Sequence, residues 1–159
     1  MAKVMKLPQS KVDLEDDEVL ILVDSGSNIN CAKVAEHFKK YKGCVVPSSG
    51  SRRGDVATTA CGAHMKNRGK CVISGVADGQ RVSIPFQDMD VELPILSVRQ
   101  SVKSGQRVSF FEGGRELKDT TTGKVIQIHK IEETYFLKLK VSPPSDEQLS
   151  IADFVRQER

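Results

Sequence analysis

The sequence predicts a mostly β protein with two or three short helices, and three observations lead to that prediction. Hydrophobic residues make up 38% of the 159-residue chain and charged residues 28%, a balance typical of a chain that folds around a core. From residue 56 onward, short runs rich in branched apolar residues alternate with turns that contain glycine. Helical spacing of apolar residues is confined to short stretches.

The first predicted strand is the apolar run of residues 19–23 (VLILV), which stops at Asp24. A helix of about three turns is predicted next, because apolar residues then recur at helical spacing. Asn28 is placed to cap the start of this helix and Gly43 to end it. The apolar positions are Ile29, Ala32, Ala35 and Phe38.

The middle of the chain predicts short strands and one further helix. The strands are residues 56–60, 70–77, 80–86 and 89–93. Asp78-Gly79 is a strong signal for a two-residue hairpin between the second and the third. Residues 93–96 end a strand, and residues 97–104 are predicted to form a short helix that ends at Gly105.

The last third of the chain predicts four strands and a terminal helix. The strands are residues 107–111, 115–117, 124–131 and 134–141, and the turns are Gly113-Gly114 and Thr122-Gly123. Pro143-Pro144 closes the domain, which spans residues 1–141. Residues 142–159 are predicted to be a linker or a terminal helix. Ser145 and Gln148 form the capping-box pattern that favours the start of a helix. One face of this helix carries Leu149, Ala152 and Val155.

The overall charge is too balanced to argue for a nucleic-acid partner by itself, although it is unevenly distributed. The formal net charge is +3, from 24 Lys and Arg against 21 Asp and Glu. Residues 36–70 carry eight basic and two acidic residues, yet this region offers only Phe38 and Tyr41 for stacking on bases. A β domain that binds nucleic acid through this region is therefore the less favoured alternative.

Cysteine spacing and hydropathy exclude several other classes. The four cysteines form no CxxC pair and the three histidines lie at no ligand spacing from them, so no metal or other cofactor is expected. No apolar run approaches the ~20 residues of a membrane span, and the first residues lack the apolar region of a secretory signal. The sequence predicts a cytoplasmic protein that has no contact with membranes and keeps its thiols reduced.

The segment Asp24-Ser25-Gly26-Ser27 is the candidate catalytic segment of the chain. These residue types also make ordinary turns, because Asp and Ser bond their own backbone and Gly takes positive φ. The functional interpretation is a carboxylate held at a strand end, where Gly26 lets a ligand backbone approach. Hydrolysis of an amide needs both a base and an acid, and one carboxylate cannot supply both. Two chains that each contribute Asp24 would supply them.

A second segment, Ile95 to Phe110 (ILSVRQSVKSGQRVSF), has two apolar residues, a small residue, a short helix, a Gly and an apolar strand. In this order after DSG, it resembles the closing segment of retropepsins, the dimeric aspartic proteases of retroviruses and retrotransposons. The ILSV version is most similar to the copia-like retrotransposon branch. The resemblance covers residues 19–130. It implies an all-β retropepsin-like barrel protomer, with a core at residues 19–110, extra strands at 111–141 and a terminal helix.

The resemblance also implies a function and its residues. The chain would be a homodimeric aspartic endopeptidase that needs no cofactor and cleaves a peptide or a retroelement polyprotein, with Asp24 as the catalytic carboxylate. Ser25 would form hydrogen bonds across the dimer, Gly26 would let substrate pass, and Ser27 would bond the carboxylate or the substrate. Ser97 replaces the Gly of many retropepsins and is small enough to lie behind the active-site loop.

The flap and the catalytic competence of the chain remain open at this point. Ala60, Cys61 and Gly62 fall where the tip of a substrate-covering hairpin is expected, although an ordinary β-turn is equally compatible with these residues. The alternative to an enzyme is a catalytically silent retropepsin-fold module that dimerises or binds peptides.

Overall fold

The computed structural model describes residues 13–58 and 64–157. Within them the chain forms twelve strands and four α-helices. The strands are β1 (Glu18–Asp24), β2 (Cys31–Ala32), β3 (Val56–Thr58), β4 (His64–Lys66), β5 (Lys70–Ala77), β6 (Gln80–Asp88), β7 (Ile95–Ser97), β8 (Gln106–Phe111), β9 (Gly114–Asp119), β10 (Val125–Gln127), β11 (His129–Ile131) and β12 (Thr134–Val141). The helices are α1 (Val34–His37), α2 (Ser49–Arg53), α3 (Val98–Lys103) and α4 (Asp146–Gln157). The prediction of a mostly β fold with short helices is confirmed.

The apolar run of β1 is continuous because both faces of the strand are buried. Ile21 and Val23 face the main core, whereas Leu20 and Leu22 pack with Phe136 in a second cluster. A strand covered on one face would alternate apolar and polar residues, so five apolar residues in succession indicate a central position.

Seven strands form the main sheet, in the order β1-β7-β2-β6-β5-β12-β11. β1 also pairs with β12, so β1, β7, β2, β6, β5 and β12 each have a neighbour on both sides. β1 runs parallel to β7 and antiparallel to β12. Two smaller sheets, β10-β9-β8 and β3-β4, complete the fold.

The hairpins follow the turn chemistry closely. Asp78 (φ 49°) and Gly79 (φ 74°) both adopt positive φ between β5 and β6, as a type I′ turn requires. The β8–β9 turn is one residue earlier than predicted. Phe111 pairs with Gly114, and the two turn residues are therefore Glu112 and Gly113.

The three-turn helix predicted after residue 28 is wrong. Cys31 and Ala32 form β2, which pairs with β6 and β7, and α1 covers only four residues before a single 3-10 turn at Lys39–Tyr41. The His37 ring accepts a hydrogen bond from the N–H of Lys33 (2.9 Å), which stabilises this short turn of helix. Helical spacing was misleading because Phe38 and Tyr41 enter the core from a sequence of tight turns.

The strand predicted at residues 89–93 is also absent. The N–H of Val91 donates to the carbonyl of Met89 (2.9 Å), a bond between residues two apart that bends the backbone sharply. Met89 and Val91 are both buried beside Cys31. Their apolar alternation arises from this bend and not from a pleated strand.

The C-terminal strands are arranged differently from the predicted core with extra strands. β12 lies between β1 and β5 in the main sheet, and its Leu137 and Leu139 are buried in the main core. The stretch of residues 124–131, predicted as one strand, is split at Ile128, because β10 joins the three-stranded sheet and β11 joins the main sheet.

The segment after β12 packs on the domain. The predicted capping box is present: the N–H of Gln148 donates to Ser145 Oγ (3.1 Å), and the N–H of Ser145 donates to Gln148 Oε1 (3.0 Å). Ala152 is 3% exposed and belongs to the main core. Leu149, expected on the same buried face, is 43% exposed, and the side chain of Val155 lies outside the described residues.

Candidate active site

Asp24 is the last residue of β1, at the point where the buried strand reaches the surface. β1 and β7 are parallel here, with Val23 opposite Leu96 and Asp24 opposite Ser97. Val23 and Leu96 are buried, whereas Asp24 is half-buried. The pairing therefore fixes the backbone of Asp24 while its carboxylate remains within reach of solvent.

The turn after Asp24 folds onto the carboxylate. The N–H of Gly26 donates to Asp24 Oδ1 (2.8 Å), which is the bond of an Asx-turn. A Cβ atom on Gly26 would lie 3.3 Å from the same oxygen, closer than most Cβ contacts, so the turn favours glycine. Ser25 and Gly26 are exposed.

Ser27 does not bond the Asp24 carboxylate, which was one of its two expected roles. Its hydroxyl donates to the carbonyl of Ile29 (2.7 Å). A hydroxyl has a single proton, so this bond excludes donation to Asp24. The local reason is that the chain turns back at residues 27–29 and presents that carbonyl to the hydroxyl. A contact between Ser27 and substrate stays a prediction.

Ser97 lies behind the loop and is fully buried. Its hydroxyl donates to the carbonyl of Ser27 (2.7 Å) and accepts from the N–H of Gln100 (3.0 Å), which makes Ser97 the N-cap of α3. The side chain thus joins the loop that carries Asp24 to the helix that follows β7. Glycine at this position could make neither bond.

Asn30 is the residue that the sequence analysis missed. It is 4% exposed, and its Oδ1 accepts from the N–H of Ser97 (2.7 Å) while its Nδ2 donates to the carbonyl of Pro85 (3.1 Å). Its own N–H donates to Gln100 Oε1 (2.8 Å). No local signal marks Asn30, because its partners lie 55 to 70 residues away.

A second contact between the loop and α3 is exposed. Arg99 Nη1 donates to Asn28 Oδ1 (3.0 Å). Asn28 was predicted to cap a helix, but α1 begins only at Val34 and no side chain caps it. Asn28 instead ties the end of the loop to α3.

The predicted flap tip, Ala60, Cys61 and Gly62, lies outside the described residues. The two arms on either side of it are described. β3 and β4 pair antiparallel, with Val56 opposite Lys66 and Thr58 opposite His64. Thr58 and His64 are the last described pair on either side of the predicted tip.

Cys31 is the thiol beside the loop. Burial, and to a smaller degree the charge of Asp24, raises the pKa of this thiol to about 11. Burial likewise raises the pKa of Cys71 to about 12. Because thiolates are the nucleophilic form of cysteine, neither side chain is reactive near neutral pH.

Within residues 13–58 and 64–157, no group of three or more His, Cys, Asp or Glu side chains could hold a metal ion. None of the helices in these ranges is both long and apolar enough to cross a lipid bilayer. Comparison of the chain with family models, curated proteins and solved structures found no match.

Proposed function

We propose that the chain is an aspartic endopeptidase that works as a homodimer. The observation that carries this proposal is the half-buried Asp24 carboxylate at the end of a buried strand, held by Gly26 and supported from behind by Ser97 and Asn30. Precise placement of a reactive group on a rigid element, with hydrogen-bonded support, is what catalysis requires.

The pairing of the strands is compatible with a retropepsin-like barrel protomer. Six strands of the main sheet each have a neighbour on both sides, and the parallel β1–β7 pair brings the DSGS loop against the start of α3. These are the two segments on which the resemblance to copia-like retropepsins rests. The proposal therefore unites the order of the motifs in the sequence with their contact in space.

The chemistry requires two chains because each chain supplies one DSG segment. In the dimer, one Asp24 takes a proton from a water molecule, and the water oxygen attacks the peptide carbonyl. The other Asp24, protonated, donates a hydrogen bond to that carbonyl. The proton taken from water then passes to the leaving nitrogen as the peptide C–N bond breaks. Two adjacent carboxylates share one proton because ionising both is costly, the division of roles known from aspartic protease dyads.

The proposed substrate is a peptide segment of a retroelement polyprotein. Gly26, exposed and without a side chain, leaves room for an extended substrate backbone beside Asp24. The β3–β4 hairpin, whose arms pair outside the main sheet, is the element assigned to cover that substrate.

Cleavage of a peptide library by the purified chain tests the proposal. Asp24→Asn is nearly isosteric but cannot act as a base, so cleavage should fall by at least about 10²–10⁴-fold while the melting temperature stays unchanged. Asp16→Asn, an exposed carboxylate in the loop before β1, is the matched control and should cleave normally.

Mixing experiments then separate a dimeric site from a monomeric one. An excess of Asp24→Asn chains should inhibit wild-type chains by forming mixed dimers with one carboxylate. A folded dimer that cleaves no peptide would favour the silent peptide-binding or dimerisation module. Full activity of Asp24→Asn would reject the proposed chemistry.

A further inference from the structure

A cavity of about 300 Å³ lies away from the Asp24 carboxylate, between β6 of the main sheet, α3 and the β9–β10 part of the three-stranded sheet. Its volume is at the lower end of the range found for small-molecule sites. The two sheets meet here without filling the space between them.

The floor of the cavity is apolar. It is formed by buried side chains from both sheets and β7, namely Ile84, Leu96, Leu117, Ile126 and Leu137. An alkyl chain that enters this space would leave water, which stabilises the complex by about 25 cal/mol for each Å² of apolar surface removed. The floor therefore selects an aliphatic ligand.

The rim is positively charged. Arg81 and Lys124 line the opening and are exposed, and neither forms a salt bridge within the described ranges. The one acid of the lining, Asp119, accepts hydrogen bonds from the N–H groups of Thr121 (2.8 Å) and Thr122 (2.9 Å), and the nearby charge of Lys124 also helps to lower the pKa of this carboxyl. Two cations against one carboxylate leave the opening with a net positive charge that attracts an anionic head group.

One wall of the cavity is the support of the Asp24 loop. Asn30 and Gln100 both line the cavity, and the N–H of Asn30 donates to Gln100 Oε1. An occupant would lie against this hydrogen-bonded pair. Binding would then be visible at two residues that also hold the candidate active site.

We propose that this cavity binds a small aliphatic carboxylate, with its alkyl chain on the apolar floor, its carboxylate between Arg81 and Lys124, and its side against the Asn30–Gln100 pair. The site is separate from the proposed peptidase chemistry and holds whether or not the chain cleaves peptides.

Titration of the full chain with octanoate tests the site, with heat of binding and backbone amide NMR signals as readouts. The heat should saturate at one octanoate for each chain, and the amide signals of Asn30 and Gln100 should shift with the same midpoint. Octyltrimethylammonium has the same alkyl chain with the opposite charge and should not bind. The Asp24→Asn chain should bind octanoate as wild type does.

Variants locate the site. Arg81→Gln and Lys124→Gln should each raise the octanoate Kd about tenfold, because each removes a charge-assisted hydrogen bond. Arg107→Gln, an exposed cation outside the lining, is the matched control. Ser104→Trp and Thr122→Trp both place a ring at the opening and should abolish binding, whereas Lys103→Trp on the same helix should not.

Three results would overturn the proposal. Absence of saturable binding would do so, as would equal binding of the ammonium analogue. Wild-type affinity in both tryptophan variants at the opening, with folded spectra, would place octanoate elsewhere.

Discussion

The loop of residues 24–30 and the segment of residues 142–157 are both held by hydrogen bonds between side chains and backbone. The bonded residues lie at very different distances along the chain in the two regions. Ser145 and Gln148 cap α4 and are three residues apart. Asn30 bonds residues 55 to 70 positions away. The start of α4 is therefore encoded by a few neighbouring residues, whereas the loop that carries the candidate carboxylate is held by residues from distant strands and helices.

Asn30→Ala should have the largest effect of four changes that sharpen this comparison. The buried N–H of Ser97 would lose its acceptor and the part-buried carbonyl of Pro85 its donor, at a cost of about 2–4 kcal/mol. Urea unfolding followed by circular dichroism measures the loss. Asn28→Ala, whose partner is the exposed Arg99, is the control and should cost less than about 1 kcal/mol. Equal costs for the two variants would mean that the buried network does not hold the loop.

Ala152→Lys tests whether the C-terminal segment is a linker or part of the domain. Ala152 is buried in the main core, so a lysine must either bury its charge or detach α4, at a cost of about 2 kcal/mol or more. The thermal melting temperature should fall. Ser150→Lys, exposed on the same helix, should leave it nearly unchanged. An unchanged melting temperature in Ala152→Lys would restore the linker interpretation.

Ser145→Ala tests the locally encoded cap, and the expected loss is about 1 kcal/mol. The N–H of Gln148 would lose its bond to Ser145 Oγ, and α4 would fray at its first turn. Hydrogen exchange of the α4 amides measures the fraying. The amides of the Asp24 loop should exchange at their wild-type rates, and faster exchange in the loop would show that the two regions are coupled.

His37 should give the smallest effect, a pH dependence of stability. Burial lowers the pKa of this imidazole, whose surroundings include Lys33, Glu36 and Asp88. Below the ordinary value of about 6.5, the unfolded chain therefore binds more protons than the folded one. The contribution of His37 to the free energy of unfolding is therefore fully present above about 6.5. It is lost as the pH falls below that value toward the lower pKa of the folded state.

His37→Gln keeps an acceptor for the Lys33 N–H but cannot titrate, so its stability should fall less between about pH 7 and pH 5 than that of the wild type. Urea unfolding at several pH values measures the slope. His129→Gln, exposed on β11, should retain the wild-type slope, and a wild-type slope in His37→Gln would remove His37 as the cause.

Sequence patterns succeeded at several places where a few neighbouring residues decide the structure. Asp78-Gly79 predicted its turn because both residues tolerate positive φ, and Ser145 with Gln148 predicted the start of α4 because a capping box closes within three residues. The apolar run of β1 predicted a buried strand, and the strand is apolar throughout because burial on both faces leaves no place for polar residues. Asp24 was singled out because it follows that run directly.

Patterns failed where distant strands decide the structure. Residues 29–38 carry helical spacing, but Cys31 and Ala32 gain more from pairing with β6 and β7 than from a helix. The role of Asn30 in holding the Asp24 loop could not be predicted for the same reason, because no pattern of neighbouring residues distinguishes this asparagine from others.

The sequence by itself determined the β character of this protein, its β5–β6 turn, its terminal cap and the position of Asp24 at a strand end, because each depends on backbone preferences and burial of a few consecutive residues. The tertiary structure alone decided that β12 enters the main sheet, that Ser97 lies opposite Asp24, and that Asn30 joins the loop to β6 and α3. These features are contacts between segments tens of residues apart, and such contacts depend on the packing of the whole fold, which no run of consecutive residues encodes.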